Sequence, residues 1–299
     1  MTMPDFMIIG APRTGSTSLY HYLNQHPNLF LCTPKEPMFF TFEGGKSDLP
    51  WLTATNNVTT GSAYQALFRP AVGGQLTGEA STLYLYSPGA PARIKACLPD
   101  VKLIALLRQP VDRAYSHFCM RLNWAVESEF DFTKVMFADR KQYDGDESEA
   151  YRFPYRQISM YYAQLKRYFD WFQAQQIRIY LYEDYQTEPA LVLEDIFNFL
   201  GVNASFKPDM TIRHHRYPSL PKSYHWQTFL SGRYGLKQLG KRFFPARFRS
   251  FVGTYLRWMS SRPRPMLSDE QRQLLTQLYR VDILKLQNLL ERDLTAWLG

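Results

Sequence analysis

Cysteine is scarce in this sequence: three residues in 299, at positions 32, 97 and 119. An odd number without metal-ligand spacing excludes a disulfide framework and speaks against a structural zinc site; it suits a reducing compartment. No apolar run reaches the ~18–20 residues that a membrane-spanning helix needs. The opening residues, MTMPDF, contain neither a basic stretch nor a long apolar one, so a secretory leader is not expected and a cytoplasmic location is. Internal repeats and low-complexity tracts are missing as well. One further absence is local. Between Met210 and Ser268 there is no Asp or Glu, while twelve Lys and Arg fall in the same window.

What is present describes a chain that buries a real core. Hydrophobic residues make up 45% and charged residues 21%, which excludes a disordered or fibrous protein. The net charge is +8, and because the 210–268 window holds twelve positive charges, the rest of the chain is slightly negative. Such a window favours an anionic partner: a phosphate-bearing co-substrate, an acidic carrier, or lipid headgroups. It is also rich in aromatics, among them Tyr217, Tyr224, Trp226, Phe243 and Phe244. Interleaved with Arg and Lys, these suit an anionic membrane surface or, less well, a single-stranded nucleic acid. Nucleic acid is not the expected partner.

The chain alternates strand and helix signals. FMIIG at 6–10 and KLIALL at 102–107 are continuous apolar runs, the mark of parallel strands covered on both faces. RIYLY at 178–182 is a third. Helices are expected over 16–25, after Asp112 as a cap, over 158–175, over 189–200 with Gly201 just past the end, and after Ser268. The stretch 41–74 reads as irregular. This pattern predicts an α/β domain with a mostly parallel sheet. A single domain over 1–299 is expected, with 210–268 as a basic aromatic subdomain or cap within it.

The sharpest signal is the first strand–turn–helix, whose turn reads GAPRTGST at 10–17. Two glycines five positions apart let main-chain N–H groups converge on an anion at a helix N-terminus. Arg13, Thr14, Gly15, Ser16, Thr17 and Ser18 are the candidate phosphate ligands. A nucleoside-triphosphatase loop would place Lys where Ser16 stands. The cradle is kept and the reader of a γ-phosphate is not. The second strand ends in Arg108, where a metal-dependent NTPase often has an acid; Ser116 follows two helical turns on. Arg108 then either forks onto a second phosphate or pairs with a carboxylate such as Asp112. The third signal is TPKEPMFF at 33–40, a Lys–Glu pair held between two prolines. Glu36 there is placed to take a proton from an acceptor, or it is simply part of a surface loop.

PRTGST at 12–17, KEPMFF at 35–40, LRQPVDRAYS at 107–116 and YEDY at 182–185 followed by FLG at 199–201 resemble the sulfotransferases that use 3′-phosphoadenosine 5′-phosphosulfate (PAPS) as donor. The likeness extends over about 5–205 and is to the bacterial and heparan-sulfate-type branch. It implies a P-loop-NTPase-like central parallel sheet flanked by helices, with the basic C-terminal region appended as helices. It implies that 13–18 hold the 5′-phosphosulfate, that Arg108 and Ser116 hold the 3′-phosphate, and that Glu36 is the general base. Arg13 would assist catalysis at the leaving phosphate, Tyr182 would lie near adenine, and Lys222 would replace a C-terminal phosphate motif that this chain lacks. Met38 stands where some relatives have His, and Ala80 where some have a substrate-site Lys. Transfer would be in line, without a metal, from PAPS to an acceptor hydroxyl or amine, leaving PAP. The acceptor (small molecule, glycan, lipid or carrier-bound) is not legible. Two other readings remain at this stage: a kinase-like phosphotransferase with Asp184 as a metal-holding acid, and a non-enzymatic binder of anionic surfaces.

Overall fold

The computed structural model of the chain describes residues 3–41, 58–138, 155–211, 219–225, 228 and 259–299. Most of the 210–268 window lies outside these residues, as do 42–57 and 139–154 of the stretches around it.

Five strands form one parallel sheet: β1 (Phe6–Gly10), β2 (Leu29–Leu31), β3 (Leu76–Ala80), β4 (Lys102–Leu107) and β5 (Ile177–Leu181). Their spatial order is β2-β3-β1-β4-β5, and every neighbouring pair is parallel. The continuous apolar runs are explained by cover on both sides. Met7 and Ile9 of β1 join Leu103, Ala105 and Leu107 of β4 in one core, under α3 (Ala90–Cys97), α4 (Pro110–Asn123), α6 (Tyr161–Trp171) and α10 (Arg280–Leu290). Phe6, Ile8, Ile104 and Leu106 point the other way, under α1 (Ser16–Leu23) and α8 (Pro189–Leu200). The alternation of side chains along a strand thus divides each run between two layers.

Several local expectations are adjusted. The helix after β4 is capped by Gln109, whose side chain accepts from the Asp112 amide, with Pro110 at its first position. The third strand ends at Leu181, and Tyr182 opens α7 (Tyr182–Thr187). Gly201 ends α8 at φ 83, as a left-handed C-terminal residue should. Ser268 and Gln271 form a reciprocal cap at the start of α9 (Asp269–Gln277), and α10 follows as a separate helix. The 41–74 stretch contains the short helix α2 (Gly61–Ala66). The helix expected over 158–175 divides into a turn of 3₁₀ helix at Gln157–Ser159 and α6. α5 (Phe132–Ala138), a two-stranded antiparallel sheet of β6 (Ser219–Pro221) with β7 (Ser261–Pro263), and 3₁₀ turns at Ala174–Gln176 and Thr295–Trp297 complete the described elements.

Strands β2 and β3 carry weak sequence signals for physical reasons. β2 is only three residues long. β3 reads LTGEA, with a glycine and an acid in its middle. A Cβ at Gly78 would lie 2.3 Å from the Phe6 ring, so the strand gives up a side chain to let β1 approach.

Candidate active site

In a parallel sheet the loops after the strands open on one edge, and ligands bind there. Here that edge receives Arg13 after β1, Lys35 and Glu36 after β2, Ser81 and Thr82 after β3, Arg108 after β4 and Tyr182 after β5.

The loop after β1 is shaped by its own atoms. The buried Thr14 hydroxyl donates to the Ala11 carbonyl at 2.6 Å, so it holds the curl of the turn. Arg13 has φ 73 and Gly15 φ 89. Gly15 is the residue before α1, and a Cβ there would stand 3.2 Å from Tyr182 and 3.3 Å from Tyr185. Ser16, Thr17 and Ser18 make up the first turn of α1, which has no acidic residue to offset its positive dipole end.

Arg13 and Arg108 converge. Arg13 Nε donates to Ser116 Oγ at 3.2 Å. Arg108 Nη1 lies 3.5 Å from the Arg13 carbonyl, and its guanidinium covers the Tyr182 ring at 4.6 Å from the centroid. Arg108 is not paired with Asp112, which receives Arg272 at 2.9 Å. Further cations stand behind this pair on α4. Arg113 is fully buried, donating to Ser159 Oγ at 2.5 Å and the Tyr155 carbonyl at 2.7 Å. Burial, with Arg113, Arg121 and Arg13 nearby, holds the His117 imidazole well below the usual histidine range. A positive field of this kind attracts phosphate and sulfate.

Glu36 sits on the opposite rim. Its φ is 63, a left-handed conformation uncommon outside glycine. Its amide donates to the Ala80 carbonyl at 3.0 Å. Its carboxylate accepts from the Thr82 amide at 3.1 Å, from Thr82 Oγ1 at 3.0 Å, and from Lys35 Nζ at 2.6 Å. Thr82 was not among the residues expected from sequence. No spacing rule connects it to Glu36, which lies 46 positions earlier.

Tyr182 forms a wall against Gly15 and a platform for Arg108. The Lys222 ammonium, just past β6, donates to the Met259 carbonyl at 2.9 Å; the described contacts do not bring it to Arg108 or Ser116. Asp184 receives Arg292 in an ion pair, so the acid invoked for a metal is already engaged.

The sulfotransferase family profile matches residues 4–206, from the strand that precedes the anion loop to beyond α8. The chain belongs to the sulfotransferase family. It is a sulfotransferase enzyme, and the kinase-like and non-enzymatic readings are set aside. A sulfotransferase of known structure from Alicyclobacillus acidocaldarius is 26% identical, with a TM-score of 0.72 over 99% of each chain. The sulfotransferase domain of the curacin biosynthetic pathway shares the fold at a TM-score of 0.50 and 18% identity, over 73% of this chain and 80% of that one. The human bifunctional heparan sulfate N-deacetylase/N-sulfotransferase 3 is 25% identical over 99% of this chain but only 31% of its own length. The membrane-associated sulfotransferase kil1 of Dictyostelium discoideum is 23% identical over 75% of this chain and 62% of its own length. This sulfotransferase thus spans about a third of the length of its heparan-type relatives.

Proposed function

We propose that this sulfotransferase uses PAPS as sulfuryl donor and releases PAP, with Glu36 as general base toward an acceptor amine or hydroxyl. The observation that carries the reading is the convergence of Arg13, Ser116 and Arg108 beside the loop that ends at Gly15. The donor set fits the nucleotide. Two guanidiniums, a serine hydroxyl and a helix N-terminus suit an anion at each end of a ribose, and the left-handed Gly15 leaves the loop main chain bare. Arg13 and the amides of 14–18 bind the 5′-phosphosulfate. Arg108 and Ser116 bind the 3′-phosphate.

Sulfuryl transfer, like phosphoryl transfer, is an in-line displacement in which charge moves onto the leaving phosphate. Catalysis is therefore mainly positioning and electrostatic stabilisation. Arg13 serves the leaving oxygen. The Thr82 and Lys35 bonds fix the Glu36 carboxylate in one place at this rim, where an acceptor could meet it. Tyr182 props Arg108; in this reading its part in binding adenine is indirect. Lys222, whose ammonium donates to the Met259 carbonyl, is given no part in donor binding in this reading. The names of the heparan-type relatives support a glycan amine among the acceptors to be tried first. In this reading the whole chain acts as one catalytic unit in the cytoplasm.

Calorimetry with PAP and with adenosine 5′-monophosphate tests the reading. Binding of PAP at least ~10-fold tighter, the value of one charge-assisted contact, is the expected result. Equal affinities would remove the 3′-phosphate site.

A further inference from the structure

The acid of β3, Glu79, is fully buried and plays no part in the chemistry described so far. Its carboxylate accepts three hydroxyls. Tyr64 and Tyr84 donate to Oε1, the latter at 3.0 Å, and Ser81 donates to Oε2 at 2.7 Å. Two of these hydroxyls do a second thing. Ser81 Oγ accepts the Met38 amide at 3.0 Å, and the Tyr84 hydroxyl accepts the Phe40 amide at 3.3 Å. Those amides lie two and four residues beyond Glu36, on the same loop. The third hydroxyl, Tyr64, has no such link; its ring stacks on Phe39 at 4.5 Å.

The loop needs holding. Glu36 and Met38 both have positive φ, 63 and 55, and non-glycine residues stay in that region only when their surroundings over-determine them. A hydroxyl has one proton. If Ser81 and Tyr84 give theirs to Glu79, their lone pairs are left to face the two amides. In its ionised form, above about pH 7, the carboxylate accepts and never donates, so it sets all three hydroxyls in one sense. An amide in its place would turn a donor toward at least one of them.

From this geometry we infer that Glu79 is a positioning residue for Glu36: through Ser81 and Tyr84 it fixes the amides of Met38 and Phe40 and so sets where the base stands. This rests on Glu36 being the base. Burial pushes the Glu79 carboxyl up to about 7, against the pull of its three hydroxyl bonds.

The experiment compares Glu79→Gln, Ser81→Ala and Tyr64→Phe in the full chain. Amide exchange by mass spectrometry, PAP affinity by calorimetry, and release of labelled sulfate from PAPS with water as acceptor are the three readouts. Exchange over 35–41 should quicken ~10-fold in Glu79→Gln and Ser81→Ala, the factor one hydrogen bond is worth. Tyr64→Phe should match wild type there. Sulfate release should slow in the first two with the KM for PAPS and the PAP affinity unchanged. Unchanged exchange over 35–41 in Glu79→Gln or Ser81→Ala would overturn the inference. So would equal acceleration in Tyr64→Phe, or acceleration spread across β1 and β4, which marks a merely structural role. Should Glu79→Gln fail to fold, the contrast between Ser81→Ala and Tyr64→Phe decides alone. Full turnover in Glu36→Gln would instead defeat the base assignment, leaving the exchange result as a statement about the loop.

Discussion

Arg108 lies across the face of Tyr182, its guanidinium carbon 4.6 Å from the ring centroid. The edge of that same ring is what a side chain at Gly15 would meet. One aromatic therefore borders the anion loop on one side and carries the second anion-binding guanidinium on the other. A cation over a ring is held by the ring quadrupole at ~0.5–2 kcal/mol. Tyr182→Ala should loosen Arg108 and weaken PAP binding by ~3–10-fold, whereas Tyr182→Phe should keep it. Titration calorimetry on the two variants reads the difference; equal losses would show that the hydroxyl, not the ring, matters.

Arg108→Ala removes the fork assigned to the 3′-phosphate. A charge-assisted contact of this kind is worth ~1.5–3 kcal/mol, so PAP should bind ~10–100-fold more weakly while adenosine 5′-monophosphate is unaffected. If both nucleotides weaken alike, the guanidinium shapes the loop through the Arg13 carbonyl and reads no phosphate.

Gly15→Ala places a Cβ at φ 89, within 3.2 Å of Tyr182. The left-handed conformation alone costs an alanine ~1–2 kcal/mol. Chemical denaturation should show a loss of at least that size, with nucleotide affinity falling as the turn shifts. A variant as stable as wild type would mean that the turn is not held at this φ.

Glu36→Gln should reduce sulfuryl transfer by ~10²–10⁴-fold with PAP affinity retained. Thr82→Val, which removes the hydroxyl 3.0 Å from the Glu36 carboxylate but not the Thr82 amide, should fall between wild type and Glu36→Gln. Steady-state rates with labelled PAPS order the three proteins, and a Thr82→Val enzyme slower than Glu36→Gln would contradict the assignment.

The raised pKa of Glu79 has a defined sign. Folded, this carboxyl keeps its proton up to about pH 7; its ordinary value is 4.5. Between those values the folded state binds more protons than the unfolded one, so stability falls as pH rises through the window and levels off above it. The loss is on the order of 3 kcal/mol. Urea denaturation at pH 5 and pH 8 should show wild type losing stability relative to Glu79→Gln. A constant gap would mean that the acid is ionised throughout.

Much of the architecture was legible because it rests on local rules. The runs 6–10 and 102–107 announce two-sided burial, and GAPRTGST announces a turn into a helix N-terminus. Strand β3 was hidden because its middle residues answer to other parts of the chain: Gly78 yields to Phe6, and Glu79 answers to Tyr64, Ser81 and Tyr84. The cap of α4 was misplaced by three residues, since Asp112 and Gln109 are both plausible acceptors and only the backbone path after Arg108 selects between them.

Residue types and their spacing were enough to determine the α/β class and the turn at 10–17, whereas Glu36 as candidate base came from the likeness to the family. Contacts between distant segments decided the rest: that Arg108 turns to Tyr182 and not to Asp112, that Thr82 grips Glu36 across 46 positions of sequence, and that Lys222 is drawn to Met259. The reason is physical. Periodicity and turn chemistry act over a few residues, whereas the partner of a charged side chain is settled by which strand ends the parallel sheet brings to one edge.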